Sequence, residues 1–252
     1  MKVGIIGYGV MGKIIAGILT EKGITISSII DPVDPAATHK EISATSLQHA
    51  DVCIDFTIPK IAVANIEKMA ALKKNIVMGT TGWYGEMDNV KGIIKKHKVG
   101  FIWSGNFSIG VNMFFRMIRE AAMIADHVPE YDVLMYEQHH RRKQDSPSGT
   151  ADMIGTILLE EIDRKKKIVT ESLHRQIAAD ELHMASVRGG SIPGTHSVLF
   201  DSAFDTIELK HTARNREGFA RGAVMAAQYI HGKVGFYHID DMMNALLGAK
   251  HA

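Results

Sequence analysis

Lys2-Val3-Gly4-Ile5-Ile6-Gly7-Tyr8-Gly9-Val10-Met11-Gly12 is the stretch that decides the fold. Its apolar start reads as a strand, and the pattern from Val10 through Leu19 reads as a helix. A Gly-x-Gly-x-x-Gly turn therefore sits between the two. Gly7 allows the tight turn, Gly9 lets a pyrophosphate approach the backbone, and Gly12 lets the helix pack close to the strand. Tyr8, Val10 and Met11 fill the remaining turn positions. A second strand, Thr25 to Ile30, ends in Asp31, where a carboxylate can accept hydrogen bonds from the ribose of a dinucleotide. It would repel a 2′-phosphate, and Pro32 to Thr38 offer no Arg or Lys to bind one. NADH is thus the expected cofactor, with NADPH possible.

The alternation continues outward from there. Strands are expected over Asp51 to Phe56, Asn75 to Met78 and Val99 to Trp103, with helices over Ile61 to Leu72 and Met87 to Lys96. Strand and helix in turn imply a doubly wound parallel sheet, whose ligands sit beyond the carboxyl ends of the strands. Gly79, Thr80 and Thr81 fall at one such end, and Ser104, Gly105, Asn106 and Phe107 at another. Each is a candidate border for a nicotinamide ring, and each also suits an ordinary turn.

After Ser108 the pattern changes. A long Met- and Phe-rich helix, Ile109 to Ala125, reads as core. Strands then group together: Asp132 to Gln138, Glu181 to Arg188, Thr195 to Asp201 and Thr206 to His211, interrupted by a helix from Thr150 to about Arg164. The run Arg164-Lys165-Lys166-Lys167 reads as a solvated helix end. This grouping implies an α+β domain with an open, mixed or largely antiparallel sheet, whose uncovered face invites oligomerisation. From Arg216 the chain is helical again, with Met242, Met243, Leu246 and Leu247 expected to dock onto a core. The expected domains are 1–108 with 217–252 for the dinucleotide, and 109–216 for substrate and assembly. Closure on hinges near Ser108 and Arg216 is expected.

Composition narrows the function classes. With 252 residues and a formal net charge of +1, nothing suggests a nucleic-acid or membrane partner. No apolar run reaches membrane-spanning length. The single cysteine, Cys53, excludes an intrachain disulfide and reads as a small buried hydrophobe. The chain enters a strand at Lys2 with no room for a signal peptide, so a cytoplasmic location is expected.

The chemistry concentrates in Glu137-Gln138-His139-His140-Arg141-Arg142-Lys143-Gln144-Asp145-Ser146-Pro147-Ser148-Gly149-Thr150-Ala151. Pro147 disfavours helix at Ser146, so the helix can begin only after it. Ser148 is a good N-cap, and the amides of Gly149, Thr150 and Ala151 would then point outward. Such a start binds carboxylate or phosphate, although a plain cap beside a solvated basic loop has the same signature. His139 and His140 taken alone would be ordinary histidines; beside Lys143 they suit proton transfer to an anionic substrate. Nothing at zinc-ligand spacing accompanies them, so no metal is expected.

These residues carry a resemblance that runs nearly end to end. The glycine turn, Asp55-Phe56-Thr57 followed by Pro59, and Gly79-Thr80-Thr81-Gly82 belong to it. So do Asn106-Phe107-Ser108-Ile109-Gly110-Val111-Asn112, the block from Glu137 to Ala151, Arg188-Gly189-Gly190, Gly194-Thr195-His196 and Phe219-Ala220-Arg221-Gly222-Ala223. The chain resembles the 4-hydroxy-tetrahydrodipicolinate reductases, also called dihydrodipicolinate reductases, of diaminopimelate and lysine biosynthesis. The resemblance implies NAD(P)H-dependent reduction of the cyclic dicarboxylate to tetrahydrodipicolinate, a Rossmann-type domain and a sheet domain that builds a homotetramer. It casts His139 as the proton donor or acceptor and Lys143 as the second donor. His140, Ser148, Gly149 and Thr150 would bind substrate, and Gly7 to Gly12, Asp31, Gly79 to Thr81 and Ser104 to Phe107 the dinucleotide. Ser146 stands where alanine is usual, and Ser104-Gly105 replaces Ala-Pro or Ala-Ala; neither removes a functional side chain. Another nicotinamide-dependent dehydrogenase for an amino-acid-like dicarboxylate is the alternative enzyme. A dinucleotide sensor would need neither His139 nor Lys143.

Overall fold

The computed structural model describes residues 1–246 and 248; the expectation for Leu247 lies outside the described residues. The chain forms two compact units, Met1–Ile109 with the segment from Arg216 onward, and Gly110–Asn215. In chain order the first unit opens with β1 (Lys2–Ile6), α1 (Val10–Glu21), β2 (Thr25–Ile30), β3 (Val52–Asp55), α2 (Pro59–Ala71), β4 (Asn75–Met78), α3 (Met87–His97) and β5 (Gly100–Trp103). The chain then runs through α4 (Ile109–Asp126), β6 (Asp132–His139), α5 (Gly149–Glu161), β7 (Lys167–Val169), β8 (Glu181–Arg188), β9 (Thr195–Asp201) and β10 (Thr206–Thr212). It returns to the first unit as α6 (Glu217–Ile230), β11 (Gly235–His238) and α7 (Ile239–Leu246).

The first sheet has the order β11-β5-β4-β3-β1-β2, with every pairing parallel. Its central strands are buried on both faces, which is why β1 and β3 read as unbroken apolar runs. One face packs Ile15, Ile18 and Leu19 of α1 with Ala223, Ala227 and Ile230 of α6. The other packs Ala62, Ile66 and Met69 of α2 with Val90 and Ile94 of α3. Cys53 is fully buried among these side chains, and burial pushes its thiol up to about 12, so it acts as a small hydrophobe. Successive strands lie on opposite sides of β1, so the loops after β1 and β3 part at their carboxyl ends and leave a crevice.

β11 is absent from the sequence expectation, which took the chain after α6 as a docking tail. Gly235-Phe236-Tyr237-His238 instead pairs with β5 as an edge strand. Of the residues expected to dock, Met242 and Met243 are buried, whereas Leu246 points outward at 54% exposure.

The second sheet has the order β10-β9-β6-β8-β7. It is mixed rather than largely antiparallel: β6, β8 and β7 run parallel, and β9 and β10 alternate in direction beyond them. Helices α4 and α5 cover one face through Phe114, Ile118, Ile154 and Leu158, which pack on Val133, Met135, Met184 and Val198. The cationic run before β7 is not a solvated helix end. α5 stops at Glu161, and Lys165 is 2% exposed. Its Nζ donates to the carbonyls of Ala179 and Glu181 at 2.9 and 2.8 Å and faces Asp132 Oδ1 at 2.6 Å. A buried lysine with each donor engaged is a structural pin, and a charge count along the chain cannot distinguish it from a solvated one.

Candidate active site

The crevice at the carboxyl ends of β1, β3 and β4 is a cleft of about 290 Å³ lined by Gly9, Val10, Met11, Phe56, Thr57, Pro59, Gly79, Thr80 and Thr81. Gly7 adopts φ +86°, and a Cβ on Gly12 would stand 2.1 Å from the Gly7 carbonyl oxygen, so the turn admits no side chain at either position. Around Gly9 a Cβ would meet nothing within 4 Å. This glycine keeps open space beside the uncapped start of α1, where free amides and the helix dipole favour an anion. A dinucleotide pyrophosphate fits that cradle. Behind it, buried Asp55 ties the two strand ends together. It accepts from Thr57 Oγ1 at 2.7 Å, Thr80 Oγ1 at 2.8 Å and Asn65 Nδ2 at 2.8 Å.

The structure therefore brings Gly9, Val10, Met11, Gly79, Thr80 and Thr81 together, with Gly7 and Gly12 shaping the turn. Phe56, Thr57 and Pro59 join them without having been assigned to the site from sequence. A Cβ on Gly79 would lie 2.2 Å from the Phe56 ring, so that glycine and that aromatic require one another, a relation only the folded chain reveals. Ser104, Gly105, Asn106 and Phe107 do not line this cleft. Ser104 Oγ donates to the Asn106 carbonyl at 2.8 Å in a tight loop, and Phe107 is buried in the core.

Asp31 sits at the end of β2 as expected, and its carboxylate already holds the local backbone. Oδ2 accepts from the Tyr8 amide at 2.8 Å, and Oδ1 from those of Val33 and Asp34 at 2.8 and 2.9 Å. Partial burial pushes its pKa up, but the amides of Asp34, Tyr8 and Val33 outweigh it and hold the group below the usual range. Two cations that a linear reading passed over reach the same loop: Lys13 Nζ lies 2.8 Å from Asp34 Oδ2, and Lys40 Nζ donates to the Asp34 carbonyl at 3.0 Å.

The second cluster lies in the other unit, on the helix-covered face of the second sheet. Strand alternation puts Glu137 and His139 on that face, and register sets Glu137 opposite His196 of β9 and Ser186 of β8, with His139 opposite Arg188. Glu137 is fully buried. Its Oε1 accepts from the Ser148 amide at 3.0 Å, Ser186 Oγ at 2.9 Å and Arg188 Nη2 at 2.7 Å. Its Oε2 lies 3.2 Å from His139 Nδ1 and 3.4 Å from His196 Nε2. Burial works against the Glu137 carboxylate, but bonds from His196, Ser148, Arg188 and Ser186 prevail and hold it far below the carboxylate range.

His139 is brought down to about 4, first by burial, with Glu137 opposing and His196, Lys143 and Arg188 adding to the fall. This lies well below the ordinary imidazole range, so His139 is neutral here at neutral pH. Lys143 Nζ grips both oxygens of Asp145 at 2.8 and 2.9 Å. Ser148 is the N-cap of α5, taking the Ala151 amide at 3.2 Å, and it leaves Gly149 exposed at the helix start. Thr150 follows in the first turn, and His140 is half-buried. Glu137, His196, Ser186 and Arg188 were not assigned roles from sequence; the alternation of β6 could have indicated the first.

Glu137, His139 and His196 each offer one ligand atom, all within 4.8 Å of one another, close enough to bracket a metal ion. The Arg188 guanidinium already supplies the positive charge on Glu137, so the cluster is built as an ion pair and proton network.

A glycine cradle at the switch point of a parallel sheet and a carboxylate–imidazole–lysine cluster on a second sheet are the parts of a nicotinamide-dependent oxidoreductase. Sequence comparisons agree. The family profile described as dihydrodipicolinate reductase, N-terminus, matches residues 1–107, and its C-terminus counterpart matches residues 110–243. The chain belongs to the dihydrodipicolinate reductase family. A 4-hydroxy-tetrahydrodipicolinate reductase of Christiangramia forsetii is 35% identical over 98% of this chain and 99% of its own. One from Ralstonia nicotianae is 34% identical over 96% and 99%. The fold matches a dipicolinate-bound dihydrodipicolinate reductase from Paenisporosarcina sp. TG-14 at a TM-score of 0.77, with 22% identity, covering 96% of this chain and 99% of that one.

Proposed function

We infer that the chain reduces 4-hydroxy-tetrahydrodipicolinate to tetrahydrodipicolinate with a reduced nicotinamide dinucleotide, in diaminopimelate and lysine biosynthesis. Full-length relatives at about a third identity carry this reading. A bound nicotinamide supplies hydride. The residues of the chain then do the rest. The amides at the start of α5, with His140 and Thr150, bind a substrate carboxylate. Lys143 exchanges Asp145 for the substrate and delivers a proton where hydride addition leaves negative charge. His139 enters neutral, as a hydrogen-bonding partner. Two carboxylates arriving beside it favour its charged form and bring it back into proton-transfer range.

Helix-start binding has a direct check. Gly149→Pro deletes an amide donor and should raise KM strongly. Thr150→Val should cost about 1–3 kcal/mol of substrate binding by removing a hydroxyl. Unchanged KM in both variants would return the turn to a simple cap.

Asp31 supports NADH as the preferred dinucleotide. Charge-assisted bonds to the ribose hydroxyls contribute about 1.5–3 kcal/mol each, and a 2′-phosphate would lose them and meet an anion instead. Lys13 and Lys40 are engaged with Asp34, which limits their help to that phosphate. We expect kcat/KM on freshly formed substrate to favour NADH about tenfold or more at low salt, with a smaller ratio as salt rises. A preference for NADPH contradicts the cofactor assignment. Absence of substrate-dependent oxidation of either dinucleotide contradicts the function.

Assembly and location complete the reading. Leu134 and Val187 are 39% and 52% exposed on the face of the second sheet away from α4 and α5. Pairing of that face in a cytoplasmic homotetramer would cover them. Light scattering should return the mass of four chains, and a monomer mass would refute the assembly.

A further inference from the structure

The group assigned to proton transfer, His139, is gripped from two sides by residues that the proposed function does not use. Nδ1 of the ring lies 3.2 Å from Glu137 Oε2; both atoms are buried and, among the described residues, neither has a hydrogen-bond partner, so each is the group the other lacks. On the far side, an ideal Cβ on Gly194 would stand 2.9 Å from His139 Nε2 and 3.2 Å from Cδ2. The missing side chain is what leaves Nε2 uncovered. Glu137 Oε2 also lies 3.4 Å from His196 Nε2, and the two imidazoles meet edge to face with centroids 5.2 Å apart. The other oxygen, Oε1, is saturated by Ser148, Ser186 and Arg188 and cannot swing away.

We propose that Glu137 is a positioning residue that holds His139 as the tautomer protonated on Nδ1, so that Nε2, kept open by Gly194, is the nitrogen that exchanges a proton with substrate. A small rotation of the ring lets the carboxylate accept the Nδ1–H across that 3.2 Å approach and so set the ring plane. Its second imidazole partner, His196, braces Oε2 from β9, and Ser148 Oγ lies 3.1 Å from the same His196 nitrogen. The helix start that binds the substrate carboxylate and the imidazole that moves the proton are thus registered to one carboxylate: Ser148 N on Oε1, His139 on Oε2. A buried anion in this place does more than balance Arg188. It selects which ring nitrogen carries hydrogen, the role an orienting carboxylate plays for a catalytic histidine.

The inference rests on the proposed role of His139, so the test separates the two. Histidine ring nitrogens are labelled with 15N, and the His139 signals are assigned by their loss in His139→Gln. Wild type should show His139 protonated at Nδ1 and bare at Nε2 near neutral pH. Glu137→Gln keeps the size but presents an amide, so the tautomer should shift or mix. The kcat should fall about 10²–10⁴-fold with dinucleotide affinity unchanged. The groups facing His139 are Glu137, His196, Lys143 and Arg188, and only Glu137 favours its charged form. The inflection assigned to His139 in the pH profile should therefore move to lower pH in Glu137→Gln. Should that variant fail to fold, the wild-type spectrum still decides. Wild-type His139 protonated on Nε2 overturns the proposal. So does a Glu137→Gln enzyme with normal kcat and an unmoved profile while His139→Gln is inactive. Near-normal kcat in His139→Gln would overturn the assignment of His139 and this inference with it.

Discussion

Lys143→Ala should lower kcat by about 10²–10⁴-fold, the usual scale for a lost general acid, and leave dinucleotide affinity as it was. Two observations support an effect of that size. Lys143 stands in the loop between β6 and the start of α5, held by Asp145 through both carboxylate oxygens at 2.8 and 2.9 Å. The neighbouring imidazole is already neutral, brought down to about 4 mainly by burial, so it is a poor standing acid at neutral pH. In the proposed function the Lys143 ammonium is therefore the proton source for an incoming dianion. The sign of the pH effect follows. In kcat/KM, which reports free enzyme, the His139 inflection should lie near the depressed value. In kcat it should lie higher, because bound carboxylates favour the charged ring. Steady-state rates for wild type and Lys143→Ala across pH, with dinucleotide binding measured separately, check both. A loss confined to KM would make Lys143 a binding residue only.

Gly9→Val should raise the dinucleotide Kd about a hundredfold or more, a loss near 2.7 kcal/mol, while the chain still folds with only the modest loss of a poorer N-cap. The two halves of that expectation come from one feature. Gly9 has φ −71° and ψ −158°, which any residue adopts, and a Cβ there would meet nothing within 4 Å. The protein has no folding need for glycine at this position. A ligand does, because the new side chain would occupy the space beside the free amides at the start of α1. Gly12 is the contrast: its Cβ would strike the Gly7 carbonyl at 2.1 Å, so substitution there should damage the fold itself. Fluorescence titration with NADH and a thermal melt separate the cases. An unchanged Kd would show that the pyrophosphate lies elsewhere.

The first sheet was legible in the chain because each of its inner strands is buried on both faces and announces itself as an unbroken apolar run. β11 was not, since Gly235-Phe236-Tyr237-His238 is a short strand, half-exposed throughout, that among the described residues pairs with β5 alone. β7 was hidden for a related reason: its three residues begin inside a cationic run whose burial of Lys165 depends on carbonyls at Ala179 and Glu181, farther along the chain. At the site, the spacing of Glu137 and His139 places both on one face of a strand, and Pro147-Ser148 marks the start of α5. What spacing cannot supply is register. Only the pairing of β6 with β8 and β9 brings Arg188, Ser186 and His196 against Glu137. The depressed basicity of His139 is a property of that assembled neighbourhood and of no single residue in it. Ser104 to Phe107 form a polar loop at the end of β5, closed by the bond from Ser104 Oγ to the Asn106 carbonyl and with Gly105 exposed, and their assignment to the dinucleotide stays a proposal.

The central claim, hydride delivery from nicotinamide to the cyclic dicarboxylate, is tested most directly by isotope transfer. The enzyme is turned over with NADH deuterated at the transferable C4 position and freshly formed 4-hydroxy-tetrahydrodipicolinate, and the product is analysed by mass spectrometry. One deuterium on a ring carbon of tetrahydrodipicolinate, formed in step with NADH oxidation, is the predicted result. Oxidation of NADH without deuterium in that product, or no oxidation when substrate is added, would contradict it.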